Sequence, residues 1–135
     1  ADIDGLIFPG GLGAAKNLST FATAGANCTV NADVERLVCE MLTAKKPIGA
    51  ICIAPAIIAR VLGKEGPTLT IGDDAGTAKA LAACGAKHEN RRVDEVTIDR
   101  KLRLVSTPAY MLGKGPAEVF TGIKKLVDEI LRMAG

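Results

Sequence analysis

Cys52 is the residue best placed to do chemistry. It lies in Lys46-Pro47-Ile48-Gly49-Ala50-Ile51-Cys52-Ile53-Ala54-Pro55-Ala56-Ile57-Ile58, which reads as a buried strand, an abrupt turn and a helix. Pro47 can open a strand, where a missing N–H costs little. Residues 48–51 are apolar and uncharged, as in a parallel strand covered on both faces. Pro55 suits the first helical position, and Ile57, Ile58, Val61 and Leu62 then share one face up to Gly63. A thiol between such a strand and helix faces the carboxyl end of the sheet, where open α/β folds place their sites. The free N–H groups of the next helix would favour its thiolate. This is the pattern of a nucleophile elbow with sulfur in place of the serine oxygen. The competing reading is a buried structural cysteine.

A second candidate is the glycine turn Pro9-Gly10-Gly11-Leu12-Gly13, after the apolar strand at residues 4–8 and before a helix start at Ala14. Gly11-Leu12-Gly13 lacks the third glycine of a dinucleotide fingerprint, because Lys16 stands in its place. There is no phosphate-loop pattern. Glycine N–H groups such as those of Gly10 and Gly11 can instead approach an oxyanion. A plain strand-to-helix turn is the alternative.

The remaining thiols are Cys28, Cys39 and Cys84, and the one histidine is His88. No CxxC pair and no zinc-type spacing is present, so no metal is expected. Free thiols in a reducing compartment are expected. Cys39 falls near a helical stripe and reads as packing. Cys84, at a helix end, reads as structural. His88 is a possible base for Cys52, against which stands its place at the start of a polar strand after a helix. A solvated or hydrogen-bonded histidine is the alternative.

Around these residues the elements follow in order. Residues 21–31 are small and polar and read as a loop. Asn31 caps a helix with the stripe Val34, Leu37, Val38, Met41 and Leu42. Residues 68–71 form a short strand ended by Gly72. Asp73 or Asp74 caps a helix whose inner face is Ala75, Ala78, Leu81 and Ala82. Residues 93–98 and 102–106 form an antiparallel pair. Pro116 begins the last helix, with Val119, Phe120, Ile123, Leu126, Val127, Ile130 and Leu131 toward a sheet. Alternating strands and helices predict an α/β fold, a flavodoxin-like three-layer sandwich with a mostly parallel sheet and a β-hairpin. As such a sheet the chain looks short of strands at its N-terminal end.

The 135 residues fit one domain, residues 1–135, with 48% hydrophobic and 24% charged residues. A net charge of +2, with acids and bases interleaved and only 3% aromatics, argues against a nucleic-acid surface. The longest nearly apolar run, residues 48–59, is too short to cross a bilayer and contains Pro55, so no membrane partner is expected.

Four stretches carry a resemblance. Phe8-Pro9-Gly10-Gly11-Leu12-Gly13-Ala14-Ala15-Lys16-Asn17-Leu18, residues 47–56, Leu69-Thr70-Ile71-Gly72-Asp73-Asp74 and Ser106-Thr107-Pro108-Ala109-Tyr110-Met111 together resemble the ES1/ElbB family. That family belongs to the DJ-1/PfpI superfamily, with a class I glutamine amidotransferase-like fold. The resemblance covers essentially the whole chain. It implies a nucleophile at Cys52 and an oxyanion hole from the Gly11 and Ile53 N–H groups; Asp73, Asp74 and Tyr110 are candidate pocket residues. It also implies a further βαβ portion ahead of these residues, carrying a glutamate that hydrogen-bonds the thiol. The implied activity is glyoxalase-like, turning glyoxal or methylglyoxal into the hydroxy acid with no cofactor and no glutathione. A non-catalytic thiol sensor or small-molecule-binding protein that keeps the elbow is the alternative. Related enzymes often place a histidine directly after the cysteine or after the next strand. Here Ile53 and Gly72-Asp73 stand there, so amidase or protease chemistry is not expected. The expected partners are a small aldehyde or dicarbonyl and a second copy in a homodimer, with a separate N-terminal segment as a further partner. The expected compartment is the cytoplasm for a bacterial source or the mitochondrion for a eukaryotic one.

Overall fold

The structure, a computed structural model, describes residues 2–135. Strands β1 (Leu6–Phe8), β2 (Ile48–Ile51), β5 (Thr97–Asp99) and β6 (Leu104–Thr107) form a sheet in the order β1-β2-β6-β5. β1, β2 and β6 are parallel, and β5 returns antiparallel beside β6 as the hairpin. β3 (Thr68–Leu69) and β4 (Lys87–His88) pair in parallel as a separate two-stranded sheet. The helices are α1 (Leu12–Asn17), α2 (Phe21–Ala24), α3 (Ala32–Thr43), α4 (Pro55–Leu62), α5 (Ala75–Ala83) and α6 (Pro116–Ala134).

Strand alternation divides the core in two. Phe8, Ile48, Ala50 and Leu104 pack with Val38 and Met41 of α3, Ile58 and Leu62 of α4, and Leu81 of α5. On the other face Ile51 and Val105 pack with Val119, Leu126 and Ile130 of α6. These are the three layers of the flavodoxin-like sandwich. α4 is buried nearly all round, at Pro55 through Ala59 and at Leu62, and not on the single stripe its sequence suggests. It sits under the sheet with α3 and α5 on either side.

Side chains, and not a ladder, join the small sheet to the large one. The Asp99 carboxylate accepts from the Thr68 N–H at 2.8 Å, and the Ser106 hydroxyl accepts from the Thr70 N–H at 3.0 Å. All four residues lie in the interior or its margin, so these bonds satisfy backbone donors that no neighbouring strand reaches.

Several sequence expectations need correcting. Residues 21–31 are not all loop: they contain α2, a 3-10 turn at Gly25–Asn27 and a bridge between Ser19 and Val30. On α5 only Leu81 is buried, while Ala75 and Ala82 are exposed. Cys39 is exposed and not packed. On α6, Phe120 (64%) and Leu131 (65%) face solvent. A seven-residue stripe on a 19-residue helix is wider than one sheet face can cover.

Candidate active site

The site is built where two parallel strands end side by side. Phe8 of β1 is in register with Ala50 of β2, so the turns that follow leave the sheet together. The turn after β1 passes through Gly10 (φ 83°) and Gly11 (φ 86°), and Gly11 is the N-terminal cap of α1. The turn after β2 is Cys52, at φ 62°. A positive φ is costly for a residue with a side chain and marks a position that the surroundings hold in place. Three contacts hold it. The Cys52 N–H donates to the Thr107 carbonyl at 3.0 Å, which extends the β2–β6 pairing by one bond. The Ala54 N–H donates to the Ile51 carbonyl at 3.1 Å and closes the turn. Gly10 lies against the turn: a methyl built on it would come within 2.3 Å of the Ile51 carbonyl oxygen and 3.0 Å of the Cys52 Cβ. Pro55 then opens α4 with no donor of its own to satisfy.

Cys52 is half-buried, and the Gly10-Gly11 turn is its immediate neighbour. Neither the Gly11 nor the Ile53 N–H makes a backbone hydrogen bond among the described residues. These two N–H groups, next in sequence to Gly10 and to Cys52, are left without a backbone acceptor. No side chain among the described residues is hydrogen-bonded to the Cys52 sulfur. The Thr107 carbonyl was not singled out as a site group by sequence, although its stretch, Ser106-Thr107-Pro108, carries part of the resemblance. A main-chain acceptor leaves no side-chain signal.

The other candidates lie as follows. Asp74 is the α5 cap: its carboxylate accepts from the Thr77 N–H at 2.9 Å and the Thr77 hydroxyl at 2.6 Å. These bonds hold its carboxyl below the ordinary range. Asp73 is exposed. Tyr110 is exposed in the 3-10 turn Ala109–Met111 that follows β6. Because β6 runs parallel to β2, this turn lies at the same end of the sheet as Cys52. His88 is on β4, and its Nε2 accepts from the buried Ile71 N–H at 3.2 Å. The ring serves as a backbone acceptor, which agrees with the hydrogen-bonded alternative.

That bond gives a pH expectation. Burial lowers the His88 pKa from 6.5, against a smaller opposing effect of the Glu89 charge. The unfolded chain then binds a proton that the folded one resists, so this contribution is present above pH 6.5 and is lost as pH falls through the lower folded value. His88→Ala should flatten the acid side of a stability-versus-pH curve. It should also cost about 1–3 kcal/mol at neutral pH, because the Ile71 N–H loses its acceptor. Urea melts at pH 7.5 and 5.0 check both; equal pH slopes for both proteins would refute the assignment.

No family model matches the chain. It is 44% identical over 144 aligned residues to the rat mitochondrial ES1 protein homolog, covering all of this chain and 53% of that protein. The human mitochondrial glutamine amidotransferase-like class 1 domain-containing protein 3 matches at the same identity and coverage. Across its whole length, the chain is homologous to the ES1 proteins. It spans about half the length of these relatives, 53%. An Ehrlichia chaffeensis isoprenoid biosynthesis protein with an amidotransferase-like domain superposes with a TM-score of 0.89 at 29% identity, over 99% of this chain and 61% of that one. Drosophila melanogaster DJ-1beta superposes at 0.55 with 21% identity, over 98% of this chain and 62% of that one, a likeness of fold alone. The ES1 resemblance and the amidotransferase-like fold are thus both borne out.

Proposed function

We propose that this chain carries the nucleophile half of a cysteine-dependent enzyme acting on a small dicarbonyl such as glyoxal or methylglyoxal. The observation that supports it is Cys52 held at φ 62° against the Gly10-Gly11 turn. In this reading the Cys52 sulfur adds to one aldehyde carbon and forms a hemithioacetal. The new alkoxide meets the open Gly11 and Ile53 N–H groups. A proton then leaves that carbon, and the neighbouring carbonyl carbon gains one, giving a thioester. Water releases the hydroxy acid and restores the thiol. The sum is dicarbonyl plus water to hydroxy acid, with no redox partner. Tyr110 is the rim residue retained from the expected pocket; Asp74 is given to Thr77 and is left out. For a eukaryotic source, the mitochondrial names of the relatives favour that compartment.

The proton transfer needs a base, and His88 is committed elsewhere. In this reading the base comes from outside these residues, where the resemblance implies a glutamate that hydrogen-bonds the thiol. The same observation favours a second reading, a thiol sensor that keeps the elbow without turnover. An assay with glyoxal and methylglyoxal, without glutathione or metal, separates them. Hydroxy acid formed in proportion to protein supports the enzyme. Hemithioacetal formation on Cys52 by mass, with no hydroxy acid from a full-length protein, supports the sensor.

A further inference from the structure

Two further thiols, Cys28 and Cys84, line a cavity that Cys52 does not. Cys28 follows the 3-10 turn Gly25–Asn27, and Cys84 caps the C-terminal end of α5. Both line one cavity of about 470 Å³, with Thr29, Arg60, Gly63 and Lys64 on its walls. The last turn of α4 anchors both. The Arg60 Nε donates to the Cys28 carbonyl at 2.7 Å, which fixes the turn to α4. Three residues on, Gly63 packs backbone to backbone on the other segment: a methyl built on it would lie 1.8 Å from the Cys84 carbonyl oxygen. The Cys84 sulfur itself donates to the carbonyl of Ala26 at 3.6 Å, two residues from Cys28. Cys28 is fully buried, while Cys84 is partly open to the cavity.

We propose that Cys28 and Cys84 form a reversible disulfide under peroxide, clasping the segment after α1 to the end of α5. The shared anchor sets both segments against the last turn of α4, and a disulfide needs its two Cα atoms within about 7 Å. Cys84 is the entry point. Its thiolate attacks one peroxide oxygen, the O–O bond breaks, and Cys84 sulfenic acid and hydroxide result. The Cys28 sulfur then attacks the Cys84 sulfur and expels the hydroxyl, which leaves as water with the thiol proton. In total, two thiols and one hydrogen peroxide give one disulfide and two waters. Burial pushes both thiols up, with Arg60 pulling partly the other way, so the step is slow beside that of an exposed thiolate.

The test is hydrogen peroxide on the wild-type chain, quenched with catalase and then by alkylation in denaturant, and mapped as non-reduced peptides. A cross-linked Cys28–Cys84 peptide is expected, about 2 Da lighter than the sum of the two reduced peptides, and it should be lost on adding dithiothreitol. Cys52→Ser and Cys39→Ser should keep the bond; Cys28→Ser and Cys84→Ser should each abolish it. The oxidised wild type should melt several degrees above the reduced form, since a long loop is closed. That comparison holds even if a cysteine variant fails to fold. Recovery of Cys28 and Cys84 as free thiols after Cys52 is fully oxidised would overturn the proposal, as would pairing of either with Cys39 or Cys52.

Discussion

Cys52→Ser is expected to lower dicarbonyl turnover by about 10³-fold or more, equivalent to about 4 kcal/mol of transition-state stabilisation. A hydroxyl without an adjacent base is a far poorer nucleophile than a thiol. Among the described residues nothing is hydrogen-bonded to the sulfur that could activate an oxygen in its place. The φ of 62° is a property of the turn, so serine should be held in the same position and the fold should be kept. Steady-state rates with glyoxal, beside a thermal melt, check this. A variant that melts like wild type and keeps a tenth of the rate would mean that another group is the nucleophile.

Gly10→Ala is the second large expectation, and Gly11→Ala is its control. Both glycines have nearly the same positive φ, 83° and 86°, so alanine meets backbone strain at either, of about 1–3 kcal/mol. They differ in what surrounds them. The added methyl at Gly11 meets nothing within 4 Å, whereas at Gly10 it meets the Ile51 carbonyl oxygen at 2.3 Å. That oxygen belongs to the central strand and also accepts from Ala54, so it has nowhere to move. Gly10→Ala should therefore destabilise by more than 3 kcal/mol, a large part of the stability of a domain this size, and should disturb the elbow first. Denaturant midpoints for the two variants decide it: equal losses would show that the close approach of the turn to Cys52 carries no energy.

Much of this site was legible because its signals are local. Pro47, Cys52 and Pro55 mark a strand start, a turn and a helix start within nine residues. Asn31 and Asp74 are caps as expected, each accepting from N–H groups two or three residues on. Pro116 does begin α6. What depends on partners distant in sequence was not legible. Phe120 and Leu131 obey the helical period and Cys39 falls beside its stripe, yet all three face water, because periodicity gives the apolar arc and not the width that a neighbour covers. Phe21–Ala24 folds as a helical turn with too few residues to show a period. The nearness of Cys28 to Cys84 arises only when α4 brings together a loop before it and a helix after it.

The way β3 joins the main sheet has a consequence for how the molecule breathes. A ladder opens as a row, each bond protected by its neighbours. Here the attachment on that side includes two pegs, the Asp99 carboxylate on the Thr68 amide and the Ser106 hydroxyl on the Thr70 amide. Losing either peg exposes a donor at once, with no adjacent rung to hold the register. Amide hydrogen exchange should therefore show β3, α5 and β4 opening before β1, β2 and β6. The strands that carry the glycine turn, Cys52 and Thr107 all belong to the slower part.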